Sequence, residues 1–225
     1  MTQRHINRPS SHPLIDRVWH TKNIEDGVYV ATPDCAWDLL ALELEDGSRH
    51  MMLAGQQTTF LRVPYRAGTS AVVISFDASA YLAGMKGDEL LDATVMLPNM
   101  DRDHFVLLGR VFRFPNYDEA EELAQAMVEA GILKQDDVVA SILSGEPRAM
   151  SSRTMQRHFH DVTGISRKGL EKISRAQEAV KLLQTGTASA EVAAEVGYTD
   201  QAHLTKDLKN IMGSGTINTD YIHKL

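Results

Sequence analysis

The stretch "GYTDQAHLTKDLKNIMG", residues 197 to 213, decides how the C-terminal part of this chain folds. Gly197 comes directly after a short apolar helical stripe that ends at Val196, and a glycine there can take the left-handed conformation that closes a helix. A second helix then starts with Thr199 or Asp200 as its N-cap. The stretch therefore predicts a tight turn between a short helix and a longer one.

The longer helix is predicted to have one buried face and several polar ones. Leu204, Leu208 and Ile211 recur at i, i+4 and i+7, which is the spacing of a buried stripe. The other faces carry hydrogen-bonding and cationic side chains: Gln201, His203, Thr205, Lys206 and Lys209. Because Gln can pair with adenine and Lys with guanine or phosphate, the pattern is also what a helix-turn-helix that reads the major groove needs. The spacing alone leaves open an ordinary amphipathic helix with a solvated face.

A second unit of the same design lies upstream, in "SSRTMQRHFHDVTGIS" (151–166). It begins with a serine cap, ends in glycine and is predicted to bury Met155, Phe159 and Val162. Its other faces carry Arg153, Gln156, Arg157 and His160. The helix "KGLEKISRAQEAVKLLQTG" joins the two units. This layout is expected of one chain that contacts two successive segments of the major groove.

The net charge of −7 is divided unevenly along the chain. Residues 1–146 carry 12 Lys and Arg against 22 Asp and Glu, whereas residues 147–225 carry 11 against 8. A weakly basic C-terminal third behind an acidic N-terminal part fits a DNA-reading module attached to another domain. Two ordinary domains could differ in charge by as much, so the charge difference alone does not establish a DNA-binding domain.

Composition excludes several classes of protein. No apolar run approaches the length of about 20 residues that a membrane-spanning helix needs. The stretch "MTQRHINRPSSHPLIDR" is polar and lacks the apolar core of a secretory signal. Cys35 is the only cysteine, which excludes an internal disulfide framework and a multi-cysteine zinc site. We expect a cytoplasmic protein that does not contact a membrane.

The N-terminal part has the sequence pattern of an antiparallel β structure. Short runs rich in β-branched and aromatic residues alternate with turn signals: "VYVATP", "WDLLALELEDGS", "HMMLAG", "TTFLRVPYRAG" and "SAVVISFD". They predict a barrel or a sandwich. After Pro115 the pattern becomes helical, and "DEAEELAQAMVEAGIL" predicts an amphipathic helix over about 118–133. The apolar positions of that helix are Ala120, Leu123, Ala124, Met127 and Val128.

The two C-terminal units and the helix between them closely resemble the AraC family of transcription regulators. The resemblance covers about 148–213 and combines the polar helices, the bridging helix with Arg175 and Ala176, and the "GYTDQAHL" turn. It implies a seven-helix domain with two helix-turn-helix motifs. Two departures stand out: "GSGTINTDYI" replaces the usual "TP" and aromatic, and "SILSGEPRAMSS" occupies the place of the first motif's leading helix and turn.

The resemblance implies particular DNA contacts. In the first unit, bases and nearby phosphates would be contacted by Arg153, Gln156 and Arg157. In the second unit, the matching positions are Gln201, Ala202, His203 and Lys206, with Thr199 and Lys209 placed for the DNA backbone. Ala202 could make only an apolar contact, for instance with a thymine methyl group.

The N-terminal part resembles the cupin-like sensor barrel found ahead of some domains of this family. The predicted fold is thus α+β: a cupin-like antiparallel β-barrel followed by an all-α double helix-turn-helix domain. The predicted divisions are a sensor or dimerisation domain over 1–115, a helical linker over 116–146 and a DNA-binding domain over 147–225. Candidate effector-lining residues are Trp37, Phe60, Arg62 and Phe76, for which barrel core or solvated surface is the alternative.

These observations predict a sequence-specific transcription regulator that an effector could control through the barrel. Its expected partners are double-stranded promoter DNA, RNA polymerase, a small-molecule effector and a second copy of the chain. We expect no catalytic residue, metal ligand or cofactor. The barrel region has only His50 and His104, without a paired His-x-His, and no phosphate-binding glycine loop is present. A metal-dependent cupin-type enzyme and an architectural DNA-binding protein are the alternatives.

Overall fold

The computed structural model describes residues 3–146 and 150–213. Strands fill the first part of the chain: β1 (Gln3–Pro9), β2 (Ile15–Asn23), β3 (Gly27–Ala31), β4 (Asp38–Glu43), β5 (Arg49–Ala54), β6 (Leu61–Tyr65), β7 (Ser70–Phe76), β8 (Ala80–Leu82), β9 (Thr94–Leu97), β10 (His104–Leu107), β11 (Arg110–Arg113) and β12 (Leu133–Gln135). The helices are α1 (Ala120–Glu129), α2 (Asp137–Ser144), α3 (Ser152–Thr163), α4 (Arg167–Gln184), α5 (Ser189–Glu195) and α6 (Gln201–Met212), with a 3-10 turn at Gly87–Glu89. Strands β1 to β11 thus precede α1, and β12 lies between α1 and α2, which confirms the predicted α+β class.

Every strand pair is antiparallel, as predicted. The main sheet has six strands in the order β1-β2-β7-β4-β5-β9, and three two-stranded ribbons pair β3 with β6, β10 with β11 and β8 with β12. Within the described residues, no pairing joins the edge strands β1 and β9. The arrangement is therefore roughly cupin-like, with an open sheet rather than a fully hydrogen-bonded barrel.

Alternation along the central strands produces the first core. In β4, Leu39 and Ala41 are buried while their neighbours are partly exposed, as expected for a strand with one face on a core. Trp37 stacks on Phe76 with ring centroids 3.9 Å apart. Both aromatics belong to this core, whereas the side chain of Arg62 is exposed.

The N-terminal stretch departs from the sequence prediction. The stretch is polar and its sequence indicated no strand, but residues 3–9 and 15–23 form β1 and β2 of the main sheet. Val18 in β2 is fully buried. A strand that faces the core on one side needs only a few apolar positions. The polar residues of "RVWHTKN" therefore gave no clear strand signal in the sequence.

Helix α1 confirms the predicted amphipathic helix, with shorter bounds. Its buried residues are Ala120, Leu123, Ala124 and Met127, which pack into the first core. Val128, the fifth apolar position of the predicted helix, is 36% exposed. It lies at the margin of the buried stripe.

The helices α2 to α6 surround a second core. Its buried residues are Val139, Phe159, Ile165, Ile173, Ala176, Ala179, Val180, Val192, Ala193, Tyr198, Leu204, Leu208, Ile211 and Met212, together with Cys35 from the N-terminal part. Helix α1 therefore packs on the first core and α2 on the second, and the boundaries at 115 and 146 stay a prediction. None of the described helices is long and apolar enough to cross a membrane.

Candidate nucleic-acid interface

Helices α5 and α6 form the helix-turn-helix predicted from residues 197–213. Gly197 has φ of 79°, the left-handed conformation predicted for the turn. Asp200 is the N-cap of α6, and its carboxylate accepts a hydrogen bond from the amide of His203 at 2.8 Å. Leu204, Leu208 and Ile211 are buried as predicted, so α6 is fixed on the second core by one face.

The opposite side of α6 carries the predicted DNA-contacting residues. All of them are exposed: Thr199, Gln201, Ala202, His203, Lys206 and Lys209. Neither Lys206 nor Lys209 pairs with a described acidic residue. Their ammonium groups are therefore available to an anionic partner.

Three neighbours restrain the imidazole of His203. The ring of Tyr198 meets it edge-on with centroids 5.1 Å apart. Oδ2 of Asp207 lies 3.9 Å from Nε2, and the Thr199 hydroxyl lies 3.4 Å from Nδ1. His203 is thus an exposed side chain with a limited choice of orientations, as a base-reading group requires.

Asp207 is a buried acidic residue on the inner side of α6. Its carboxylate also lies 3.4 Å from Nζ of Lys172 on α4, which ties α6 to the bridging helix. Burial, followed by the charge of Asp207, raises the pKa of Tyr198 above its ordinary value, while Arg175 opposes the shift. The guanidinium of Arg175 lies over the Tyr198 ring at 5.5 Å. The contacts of Asp207 with Lys172 and of Tyr198 with Arg175 could not be predicted from the sequence, because both depend on how α4 packs against the unit formed by α5 and α6.

The first unit has a leading helix as well. Helix α2 is capped by Asp136, whose carboxylate accepts from the amides of Val138 and Val139 at 3.0 and 2.9 Å. It ends at Gly145, which has φ of 73°. The segment "SILSGEPRAMSS", with its Gly and Pro, obscures this helix in the sequence. Its first residues are helical and the break follows them, although positions 147–149 lie outside the described residues.

Helix α3 follows the predicted pattern closely. Ser151 caps it by accepting from the amide of Thr154 at 3.2 Å, and Gly164 ends it with φ of 73°. Phe159 is buried, while Met155 and Val162 are half-buried rather than fully so.

The predicted contact residues of α3 lie together on its outer side. Arg153, Gln156 and Arg157 are exposed, and no described acidic side chain forms an ion pair with either arginine. His158, one position further, turns inward to Asp136 instead. The first unit thus presents two guanidinium groups and one amide to solvent.

Helix α4 joins the two units, as predicted. It is 18 residues long and buries Ile173, Ala176, Ala179 and Val180 against the second core. Helices α2 to α6 give five of the seven helices implied by the family resemblance. The segment after Gly213, where the family pattern fails, lies outside the described residues.

Across residues 3–146 and 150–213, no group of three or more His, Cys, Asp or Glu side chains is placed to hold a metal ion. Cys35 is buried, and burial raises the pKa of its thiol to about 12, which leaves little nucleophilic thiolate at neutral pH.

Comparison with known proteins supports the helical domain. A family profile described as "Helix-turn-helix domain" matches residues 148–215. No curated protein sequence matches the chain.

Solved structures of ToxT from Vibrio cholerae align with the whole chain, but weakly. One at 1.65 Å resolution has 10% identity and a TM-score of 0.40, covering 100% of this chain and 99% of that one. Another, bound to (E)-4-(8-methylnaphthalen-1-yl)but-3-enoic acid, has 9% identity and a TM-score of 0.40, with 99% of each chain covered.

The profile match coincides with the part of the chain in which two capped helices, α3 and α6, expose cationic and hydrogen-bonding side chains on a shared core. Helix-turn-helix motifs bind DNA by placing such a helix in the major groove. Over residues 148–215 the chain matches a helix-turn-helix domain.

Proposed function

We propose that this protein is a sequence-specific DNA-binding regulator of transcription. The main support for the proposal is that α3 and α6 share the same set of features. Helices α3 and α6 each have a side-chain N-cap, a glycine at the C-terminal end, a buried stripe and an exposed polar face. A single solvated amphipathic helix would explain one such face, but two on a common bridging helix are what a reader of two groove segments needs.

The exposed side chains divide into two roles. Gln156, Gln201 and His203 carry hydrogen-bonding groups without a fixed charge and suit base edges. Arg153, Arg157 and Lys206 suit guanine or nearby phosphates, while Thr199 and Lys209 suit the DNA backbone. Ala202 suits a thymine methyl group. These assignments rest on exposure and on the family resemblance.

In the proposed mechanism, α3 and α6 enter adjacent major-groove segments on one face of the duplex, about 34 Å apart. Promoter binding in the cytoplasm then recruits or blocks RNA polymerase. The net charge of −7 supports specific rather than indiscriminate binding, because nonspecific affinity depends on many cationic contacts. A homodimer, held through the N-terminal part, would double the length of DNA that is read.

An effector acting on the N-terminal sheet is the regulatory part of the proposal. It is supported by direct contacts between the two parts, such as the hydrogen bond from Nε2 of Gln177 on α4 to the carbonyl of Pro33 at 2.9 Å. A ligand can shift the DNA-binding population only by the difference in its affinity for two states. An effector that favours one arrangement of these contacts over another would therefore shift the population of the DNA-binding state.

Selection of bound DNA from a random pool, with the full chain, tests the proposal. We expect a bipartite motif whose two halves are about one helical turn apart. Affinity for the motif should exceed affinity for random DNA by about 1,000-fold or more at physiological salt. Equal affinity for both would contradict sequence-specific regulation and favour an architectural role.

A further inference from the structure

The C-terminal end of α6 rests on the N-terminal part of the chain. The amide of Phe60 donates a hydrogen bond to the carbonyl of Ile211 at 2.8 Å. This carbonyl belongs to the last turn of α6 and has no partner within the helix. The ring of Phe60 also packs on Gly213, where an added Cβ would lie 2.6 Å from Cδ2 of that ring. The segment 55–60 therefore supplies part of the C-terminal cap of the second reading helix.

The C-terminal end of α3 rests on a different N-terminal segment. Gly164 meets Gly87 backbone to backbone: a Cβ added at Gly87 would lie 2.3 Å from the amide nitrogen of Gly164, and one added at Gly164 would lie 2.5 Å from the carbonyl oxygen of Gly87. Only two residues without side chains allow this approach. The 3-10 turn at Gly87–Glu89 is thus seated directly against the first reading helix.

The two N-terminal segments are bonded to each other through Asp92. Its carboxylate accepts from both the amide and the hydroxyl of Thr58, each at 2.6 Å. Its own amide donates to the carbonyl of Gln56 at 2.9 Å. Asp92 has φ of 54°, a left-handed conformation that aspartate tolerates better than most residues. The amide of Gly55 adds a hydrogen bond to the carbonyl of Ala93 at 2.9 Å.

This arrangement matters because α3 packs more extensively on the 3-10 turn than on α4, whereas α6 packs well on α4. Contacts with the 3-10 turn therefore add to the bridging helix in positioning α3. A second link between the two reading helices runs from α3 through Gly87, Asp92 and Thr58 to Phe60 and α6. We call segments 55–60 and 87–93 the clamp.

We propose that the clamp sets the distance between α3 and α6, so that Asp92, Gly87 and Phe60 are positioning residues for DNA reading although none lies on a reading face. The inference rests on the proposed function for its consequence on DNA, but the distance itself can be measured without DNA. Loosening the clamp leaves each helix-turn-helix intact and widens the range of separations between them. The N-terminal part then contributes to the spacing of the two half-motifs that the protein accepts.

The direct test is a distance distribution between spin labels on cysteines introduced at Asp161 on α3 and Asn210 on α6, both exposed positions. The native Cys35 is buried with a raised thiol pKa, so it reacts slowly with the label. We expect a single narrow distribution in the otherwise unchanged full chain. Asp92→Ala and Gly87→Ala should broaden or shift it. An unchanged distribution in both variants would overturn the clamp.

Matched controls separate the clamp from general damage. Asp92→Asn keeps an acceptor for the Thr58 amide and tolerates the left-handed backbone, so it should retain the native distribution. Gly169→Ala lies on α4, where the added Cβ meets only the side chains of Ile165 and Ser166 at 3.2 and 3.3 Å, and should also leave the distance unchanged. If Asp92→Ala does not fold, Thr58→Val removes the hydroxyl bond alone and replaces it in the test.

The second readout uses DNA in which one or two base pairs are added or removed between the two half-motifs. The unchanged chain should lose about tenfold in affinity on an altered spacing, which is what missing one base contact of about 1.4 kcal/mol would cost. The Asp92→Ala variant should bind DNA of native and altered spacing with nearly equal affinity. A uniform loss at every spacing would overturn the positioning role. If the unchanged chain selects no motif at all, the proposed function fails while the distance measurement still decides the clamp.

Discussion

The carboxylate of Asp136 lies 2.8 Å from Nε2 of His158, joining the first turn of α2 to the middle of α3. The same carboxylate caps α2 through the amides of Val138 and Val139. One side chain thus fixes both the start of the leading helix and its contact with the first reading helix.

Replacing Asp136 by alanine should therefore destabilise the helical domain. Loss of the N-cap alone costs about 1 kcal/mol, with a range of about 0.5–2 kcal/mol. The unpaired His158 is partly exposed, so water compensates for some of the remaining loss. The free energy of unfolding in urea, followed by circular dichroism at 222 nm, measures the sum. Asp161→Ala, at an exposed position of α3, is the control and should change it by less than about 0.5 kcal/mol.

Asp136→Asn separates the two roles. Asparagine is an equally good N-cap, so most of the stability of α2 should remain. The charged partner of His158 is lost, however, and the urea midpoint should lie between those of the unchanged chain and the alanine variant. A variant as unstable as Asp136→Ala would show that the cap contributes little.

The reading helices could be predicted from the sequence because their signals are local. A cap residue, an apolar stripe and a terminal glycine all lie within one helix, and Asp200, Leu204 and Gly213 are found in those roles. Strands β1 and β2 were missed because one-sided burial in a sheet needs few apolar residues. The clamp was missed for another reason: Phe60 and Gly87 acquire their role only when segments distant in sequence meet, and nothing in either segment indicates its partner.

Asp38 should make the protein less stable as the pH rises. Its Oδ1 is buried without a hydrogen bond. Burial, followed by the negative charge of Asp34, raises the pKa of this carboxyl from 3.8 to about 7, and Ser75 and Arg17 only partly oppose the shift. An acid with a raised folded-state pKa favours folding while it is protonated. That contribution is complete below pH 3.8 and is lost as the pH rises to about 7.

Asp38→Asn should remove this dependence. The variant cannot ionise at this position, so its free energy of unfolding should exceed that of the unchanged chain by about 1–3 kcal/mol at pH 8 and by much less at pH 4. Urea unfolding across that pH range measures the difference. Glu25→Gln, which removes an exposed carboxylate, should follow the unchanged chain. Parallel curves for Asp38→Asn and the unchanged chain would contradict the assignment.

Glu121 should have the opposite pH dependence. Its carboxylate on α1 accepts hydrogen bonds from the guanidinium of Arg8 on β1, including one at 2.7 Å, and from the Ser10 hydroxyl at 2.8 Å. The bond from Arg8 is the largest cause that lowers the pKa of Glu121 from 4.5 to about 2. A lowered pKa stabilises the fold above pH 4.5, and the contribution is lost as the pH falls towards 2.

Glu121→Gln should therefore be less stable than the unchanged chain at pH 7, and the difference should vanish near pH 2. Because both side chains remain partly exposed to solvent, at 28% and 22%, we expect about 1 kcal/mol rather than the full value of the shift. Urea unfolding at pH 7 and pH 2 measures the change. A difference that persists unchanged at low pH would mean that packing, rather than charge, is lost.

The exposed faces of α3 and α6 predict two distinguishable kinds of binding defect. Gln156→Ala and His203→Ala should each relax the preference at one base step by about 1–3 kcal/mol, with the rest of the motif unchanged. Lys209→Ala should weaken binding to all sequences alike and reduce the slope of log K against log salt by about 1. Titration of motif and single-substitution DNAs at several salt concentrations separates the two. Equal losses on specific and random DNA in all three variants would contradict the assignment of Gln156 and His203 as readers, because a side chain that contacts only phosphate has no means of distinguishing one base pair from another.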